Sequence, residues 1–176
     1  MKILIIYSTT DGHTKKIAET MGAYAIGQLN LDVVQVIDIK EAGKVKISDY
    51  THVVIGASIR YGKFNKLVYD FIDVNSDFLN EVKSAFFSVN LTARKFDKNT
   101  PETNVYTKKF LNQISWRPSL IKVFAGALLY PRYGLFDKFM IKLIMKITKG
   151  ETDTTKEIDY TDWKSVDEFI KKISSL

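Results

Sequence analysis

Residues 1–14, MKILIIYSTTDGHT, decide how this chain folds. The run Ile3 to Tyr7 is apolar without a break, as a strand is when helices cover both of its faces. At Ser8 it gives way to a stretch of small hydroxyl, acidic and glycine residues ending at Thr14. In an open α/β sheet, ligands bind beyond the carboxyl ends of the strands, where the first loop presents backbone N–H groups at a helix N-terminus. A phosphate placed there could accept from those amides and from the hydroxyls of Ser8, Thr9, Thr10 and Thr14, with Gly12 permitting the tight turn. A nucleoside-triphosphate loop would require glycine and lysine where Tyr7 and His13 stand, and no GxGxxG dinucleotide fingerprint is present. Hydroxyls without a lysine suit a small phosphomonoester. The same residues are also ordinary helix N-caps, so a cap without a ligand is the competing reading.

Working outward, strand-length apolar runs recur at Val33 to Ile37, Val53 to Ala57, Ala85 to Val89 and Ile121 to Ala127. Between them, Ile17, Met21, Tyr24 and Ala25 share one helical face, as do Phe64, Leu67, Val68, Phe71 and Ile72. Val166, Phe169, Ile170 and Ile173 repeat the spacing after a start signal at Asp162. Strands alternating with helices predict an α/β three-layer sandwich with a parallel sheet. The 176 residues contain no internal repeat or low-complexity linker, and the expectation is a single domain over 1–176.

Leu128 to Thr155 breaks the rhythm and is too long for an ordinary connection, so it reads as an insertion with its own role. Within it, Lys138, Lys142 and Lys146 recur every fourth residue beside Phe136, Phe139, Met140, Leu143, Ile144 and Ile147. The pattern predicts a basic amphipathic helix near 133–149. It suits a membrane interface or a hydrophobic partner, or it is an ordinary packed helix with a solvated lysine face. The lysines exclude a spanning helix.

Composition narrows the classes. Hydrophobic residues at 45% and charged residues at 26% fit a globular chain rather than a disordered or membrane-spanning one. Without cysteine there are no disulfides, thiol nucleophiles, iron-sulfur clusters or cysteine-ligated zinc. His13 and His52 are isolated and make no metal site, and His52 reads as a residue at the approach to a strand. Ile3 to Tyr7 is too short for a secretory segment, so no export is expected. The net charge of +6 favours anionic partners. No nucleic-acid-binding module is recognisable, and no nucleic-acid partner is expected.

STTDGHT following ILIIY resembles the FMN-phosphate loop of flavodoxins. GASIRYGKFN, FFSVNLTARK, TPETN, SWRP, AGALLYPRY, FMIKLIMK, GETDT and YTDW extend the resemblance nearly end to end, to the flavodoxin-like, quinone-dependent protoporphyrinogen IX dehydrogenases of haem biosynthesis. The resemblance implies a five-stranded parallel sheet in the order 2-1-3-4-5 and bound FMN. It also implies oxidation of protoporphyrinogen IX to protoporphyrin IX, with electrons passed to a membrane quinone such as menaquinone or ubiquinone. On that picture Ser8, Thr9, Thr10, Asp11, Gly12, His13 and Thr14 hold the phosphate. Ala57, Ser58, Ile59, Arg60, Tyr61 and Gly62, together with Ser88, Val89, Asn90, Leu91, Thr92, Ala93 and Arg94, then flank the isoalloxazine ring, with Tyr61 able to stack on a ring.

Porphyrinogen propionates need cations, and Arg60, Lys63, Arg94, Lys95 and Arg132 fall in or near the expected cleft loops. Flavin carries the redox chemistry, so no side-chain nucleophile is required and no catalytic acid or base is nominated. The helix near 133–149 would touch anionic lipid or cover the substrate, making the protein cytoplasmic and peripheral to the inner face of the cell membrane. Two residues depart from the family pattern: His13 stands where a polar amide would fit, and Phe87 lacks a tyrosine's hydroxyl. The alternatives are an electron-carrier flavodoxin and an NAD(P)H-linked quinone reductase. Carriers in that family are usually acidic, and a +6 chain would repel their basic partners.

Overall fold

A computed structural model of the chain describes residues 1–176. The first run forms β1 (Lys2–Ser8), followed by α1 (His13–Gly27), β2 (Val33–Asp38), β3 (His52–Ser58), α2 (Lys66–Glu81) and β4 (Lys83–Asn90). Next come α3 (Val105–Gln113), β5 (Leu120–Ala125), β6 (Ala127–Leu129), α4 (Leu135–Ile147), β7 (Glu157–Asp159) and α5 (Trp163–Ile173). β1 to β5 pair parallel in the order β2-β1-β3-β4-β5. This is the predicted sheet and order.

Side-chain alternation along β1 divides its apolar residues between two cores. Ile3, Ile5 and Tyr7 join Met21 of α1 and Phe169 and Ile170 of α5 on one face. Leu4 and Ile6 join Val68 and Ile72 of α2 and Phe110 of α3 on the other. The sheet is thus covered on both sides, which is why its strands read as continuous apolar runs. Phe87 belongs to the first core, and its ring lies where a side chain at position 56 would project: a Cβ on Gly56 would sit 2.0 Å from Phe87 Cζ.

Helix starts follow local capping chemistry. Asn65 caps α2 by accepting from the Leu67 N–H at 3.0 Å. Asp162 caps α5 by accepting from the Ser165 N–H at 3.2 Å, as its start signal predicts. Phe64 lies before α2 rather than on its face and buries its ring against Phe86 and Phe110.

The run Ile121 to Ala127 is not one strand. It breaks at Gly126, and Ala127 starts β6, which pairs antiparallel with β7 to close the base of the insertion. The insertion therefore extends from β6 to β7, and its helix is α4. Leu128, Leu129, Tyr130 and Tyr133 form a small core of their own with Met145 of α4. No helix is long and apolar enough to cross a membrane.

Candidate active site

The loops after β1, β3 and β4 meet at one edge of the sheet and border a cleft of about 480 Å³. They bring together Thr9 to Asp11, His13 and Thr14, then Ser58 to Gly62, then Val89 to Thr92 and Arg94. α4 closes the open side with Met140, Ile141, Ile144 and Met145.

The first loop is held ready for an anion. Gly12 caps α1 in the left-handed region at φ 83°, where an L side chain would be strained. Its N–H is satisfied by Thr9 Oγ1 at 3.0 Å. The N–H groups of Thr10, Asp11, His13, Thr14 and Lys15 make no hydrogen bond within the protein. Thr14 Oγ1 is buried and equally unpartnered. Buried polar atoms are rarely left so, and this arrangement provides donors for several oxygens of one phosphate.

His13, the first residue of α1, turns toward the end of the insertion. The Thr161 hydroxyl donates to the Ala125 carbonyl at 2.8 Å and accepts from His13 Nε2 at 2.7 Å, which fixes the hydrogen on Nε2. Asp159 Oδ1 lies 3.5 Å from the same nitrogen, and Trp163 meets the ring edge-on. Burial lowers the imidazole pKa, and the Asp159 charge opposes it without prevailing.

After β3 the chain reverses in a two-residue turn: the Arg60 N–H donates to Lys63 O at 2.9 Å, and the Lys63 N–H donates to Arg60 O at 3.1 Å. Both central residues have positive φ, 50° at Tyr61 and 77° at Gly62, the pattern of a type I′ hairpin turn. The turn exposes two-thirds of Tyr61 and points Arg60 across the cleft. The guanidinium bridges two carboxylates. Nη1 donates to Asp11 Oδ2 at 3.0 Å, and Nη2 donates to Asp137 Oδ2 of α4. Tyr61 Oη donates to the other Asp137 oxygen, and the Tyr133 ring lies 5.6 Å from the guanidinium carbon.

Burial chiefly raises the Asp11 carboxyl pKa, with Arg60 pulling the other way. The Tyr61 hydroxyl chiefly lowers that of Asp137. For Arg60, burial disfavours the charge, but the two carboxylates outweigh it and raise the pKa.

The remaining sequence candidates divide. Ser8, Ala57, Ser88 and Ala93 are buried behind the cleft wall, Ala57 in the second core and Ser88 bonded to Thr107 at 2.8 Å. Arg94 lines the cleft, but its guanidinium is occupied by the Leu91 carbonyl at 2.8 Å and by Thr148 Oγ1, at the end of α4, at 2.7 Å. Arg132 makes a bidentate pair with Glu157 at 2.8 and 2.9 Å across the β6–β7 hairpin. Neither Arg132, Lys63 nor Lys95 lines the cleft, and Phe87 lies in the core away from it. Tyr106, Tyr133 and Asp137 do line it and were not singled out by sequence. Asp137 carried one signal, as the sole acidic residue in the basic run 135–149.

The residues fit FMN. The free amides and Thr14 Oγ1 are placed to donate to a phosphate, and the cleft, with polar and apolar lining residues, also includes Asn90. The Asn90 side-chain Nδ2 is a second buried donor without a partner. The flavodoxin-domain family matches residues 4–155. Two proteins named protoporphyrinogen IX dehydrogenase (quinone) are similar to this chain throughout. The one from Leishmania major is 52% identical, covering 99% of this chain and 75% of its own. That from Escherichia coli strain K12 is 49% identical, covering 100% and 96%. Oxidised flavodoxin 1 from Bacillus cereus shares the fold at 14% identity, with a TM-score of 0.54 over 99% of this chain and 98% of its own. The chain therefore belongs to the flavodoxin-domain family and, within it, to the protoporphyrinogen IX dehydrogenases that use quinone.

Proposed function

We propose that this protein oxidises protoporphyrinogen IX to protoporphyrin IX through bound FMN and passes the electrons to a membrane quinone. The observation carrying this reading is identity near one half, over the whole chain, with enzymes of that name. Bound FMN would supply the redox chemistry that links porphyrinogen oxidation to quinone reduction. The protein's own residues bind and orient. The N–H groups of Thr10, Asp11, His13, Thr14 and Lys15 and Thr14 Oγ1 would supply donors to the phosphate, and Asn90 Nδ2 would supply one farther along the cleft. The apolar residues of α4 exclude water from the roof, and Arg60 is the cation placed to meet a porphyrinogen propionate.

The outer side of α4 fits contact with an anionic membrane surface. Leu135, Phe136 and Phe139 are 66–88% exposed and Ile147 is 72% exposed, while Lys142 and Lys146 stand beside them in solvent. Apolar residues inserted among headgroups with lysines reaching phosphates would bind the protein peripherally, close to a quinone dissolved in the bilayer. On this reading the protein works on the cytoplasmic side of the membrane, as a single domain over residues 1–176.

The test is anaerobic. FMN-loaded protein is mixed with protoporphyrinogen IX, with and without a menaquinone analogue, and porphyrin fluorescence is followed above the spontaneous background. The reading expects fluorescence that requires both protein and quinone. No rise above background, from protein whose FMN is still reducible, would overturn it in favour of an electron carrier.

A further inference from the structure

We infer that Asp137 is an internal stand-in for a substrate carboxylate: it occupies the Arg60 site in the unliganded protein, and a porphyrinogen carboxylate takes its place, releasing the N-terminal half of α4 from the cleft. The inference rests on the substrate reading above.

Three observations carry it. The first is charge balance. Arg60 brings one positive charge to a centre where Asp11 and Asp137 bring two negative ones, and all three side chains retain only 24–30% of their surface. A further carboxylate added to that centre would meet net repulsion, so an anionic ligand binds Arg60 only if one of the two leaves. Arg94, the other arginine of the cleft, is already committed to Leu91 and Thr148.

The second observation is which carboxylate can leave. Asp11 belongs to the loop that carries the free amides, and its departure would dismantle the anion site. Asp137 sits near the start of a helix whose own buried side chain, Met145, lies toward the far end. The C-terminal half of α4 is held by Met145, which is fully buried, and by the Arg94–Thr148 contact. Ahead of the helix Tyr133 is buried in the insertion core, its hydroxyl accepting from the Leu129 N–H at 2.9 Å; within the first turns Leu135, Phe136 and Phe139 face outward, and the side-chain hydrogen bonds are those of Asp137 to Arg60 and Tyr61. Removing that carboxylate loosens the first turns between Tyr133 and the attached far end.

The third is chemical likeness. Asp137 and a propionate are both alkyl carboxylates, so Arg60 and Tyr61 can give the incoming group the hydrogen bonds they give Asp137. The exchange replaces one charged contact by another, and its direction is set by whatever else the ligand binds in the cleft.

The experiment uses FMN-loaded protein and two probes, protoporphyrin IX and its dimethyl ester, which lacks the charged carboxylates. Amide hydrogen exchange over residues 135–141 and porphyrin affinity are measured for the wild type, Asp137→Asn and Tyr61→Phe. In the wild type the dicarboxylate should accelerate exchange over 135–141 while leaving 143–148 protected, and the ester should not. Asp137→Asn should exchange rapidly without ligand and bind the dicarboxylate about fivefold tighter, because the competing internal ligand is gone. Its affinity for the ester should be unchanged. Tyr61→Phe should shift both quantities the same way by less. Dicarboxylate binding with unaltered exchange over 135–141, or an Asp137→Asn variant matching the wild type in both measurements, would overturn the stand-in alone. Failure of the FMN-loaded wild type to bind either porphyrin would overturn the substrate reading along with it.

Discussion

β1 and α4 both carry many large apolar side chains, yet the protein treats them differently. β1 has helices on each side, and Ile3 to Ile6 have no exposed surface. α4 has the cleft under one side and nothing over the other, so Met145 is buried while Phe136 and Phe139 stay two-thirds exposed. An apolar residue contributes to stability only when something covers it. The outer face of α4 therefore does little for the fold and is free to serve binding.

That contrast can be broken most directly by truncating one side chain in each element. Leu4→Ala in β1 should cost about 2–5 kcal/mol of unfolding free energy, whereas Phe139→Ala in α4 should change it by about 0.5 kcal/mol or less. Urea denaturation of both variants is the check, and comparable losses would mean α4 is covered after all.

The second way concerns what the exposed face binds. If each lysine near an anionic surface contributes about 1 kcal/mol, replacing Lys138, Lys142 and Lys146 by glutamine should weaken binding to phosphatidylserine vesicles about a hundredfold. Sedimentation at low and high salt measures it. Salt-insensitive, unchanged binding would remove the membrane from the picture.

Most of the frame was legible in the sequence because it rests on local regularities. Continuous apolar runs marked the strands of the sheet, Asp162 marked a helix start, and Gly12 marked the turn into α1. What stayed hidden depends on residues distant in the chain. β6 and β7 have three residues each, too few for a periodic signal, and become strands only by pairing with one another across the insertion. Arg60, Tyr61 and Asp137 meet across 76 and 77 positions, a distance no motif reports. Strand alternation turns Phe87 into the core, where its ring fills the space that Gly56 leaves. The lysine spacing revealed α4 without indicating which face lies over the cleft.

Two smaller effects sharpen the same division between frame and site. Gly12→Ala would force a side chain into the left-handed region and should cost about 1 kcal/mol while weakening FMN binding, measured by quenching of flavin fluorescence. Unaltered FMN affinity would show that the loop does not hold the phosphate.

The smallest effect is on acid stability of the protein without FMN. His13 faces Asp159, Lys16, Arg132 and Trp163, and burial lowers its pKa below the ordinary 6.5. Above that value the folded and unfolded states are both neutral at His13, and its contribution to stability is complete. As pH falls below about 6.5 the unfolded chain takes up the proton first, so stability declines until the folded imidazole is protonated too. His52, also lowered by burial, acts in the same direction. Denaturation midpoints between pH 7 and 5 should therefore fall on acidification, and His13→Gln should flatten the slope without abolishing it.

The most direct measurement joins cleft to membrane. Protoporphyrinogen IX oxidation is followed anaerobically by fluorescence, with menaquinone either dissolved in anionic vesicles or supplied as a water-soluble analogue. The wild type should oxidise the porphyrinogen with both quinones. The glutamine variant at Lys138, Lys142 and Lys146 should be slowed only with the vesicles. No quinone-dependent oxidation by the FMN-loaded wild type would contradict the assigned chemistry, and equal slowing with both quinones would contradict the separate roles of the two faces of α4.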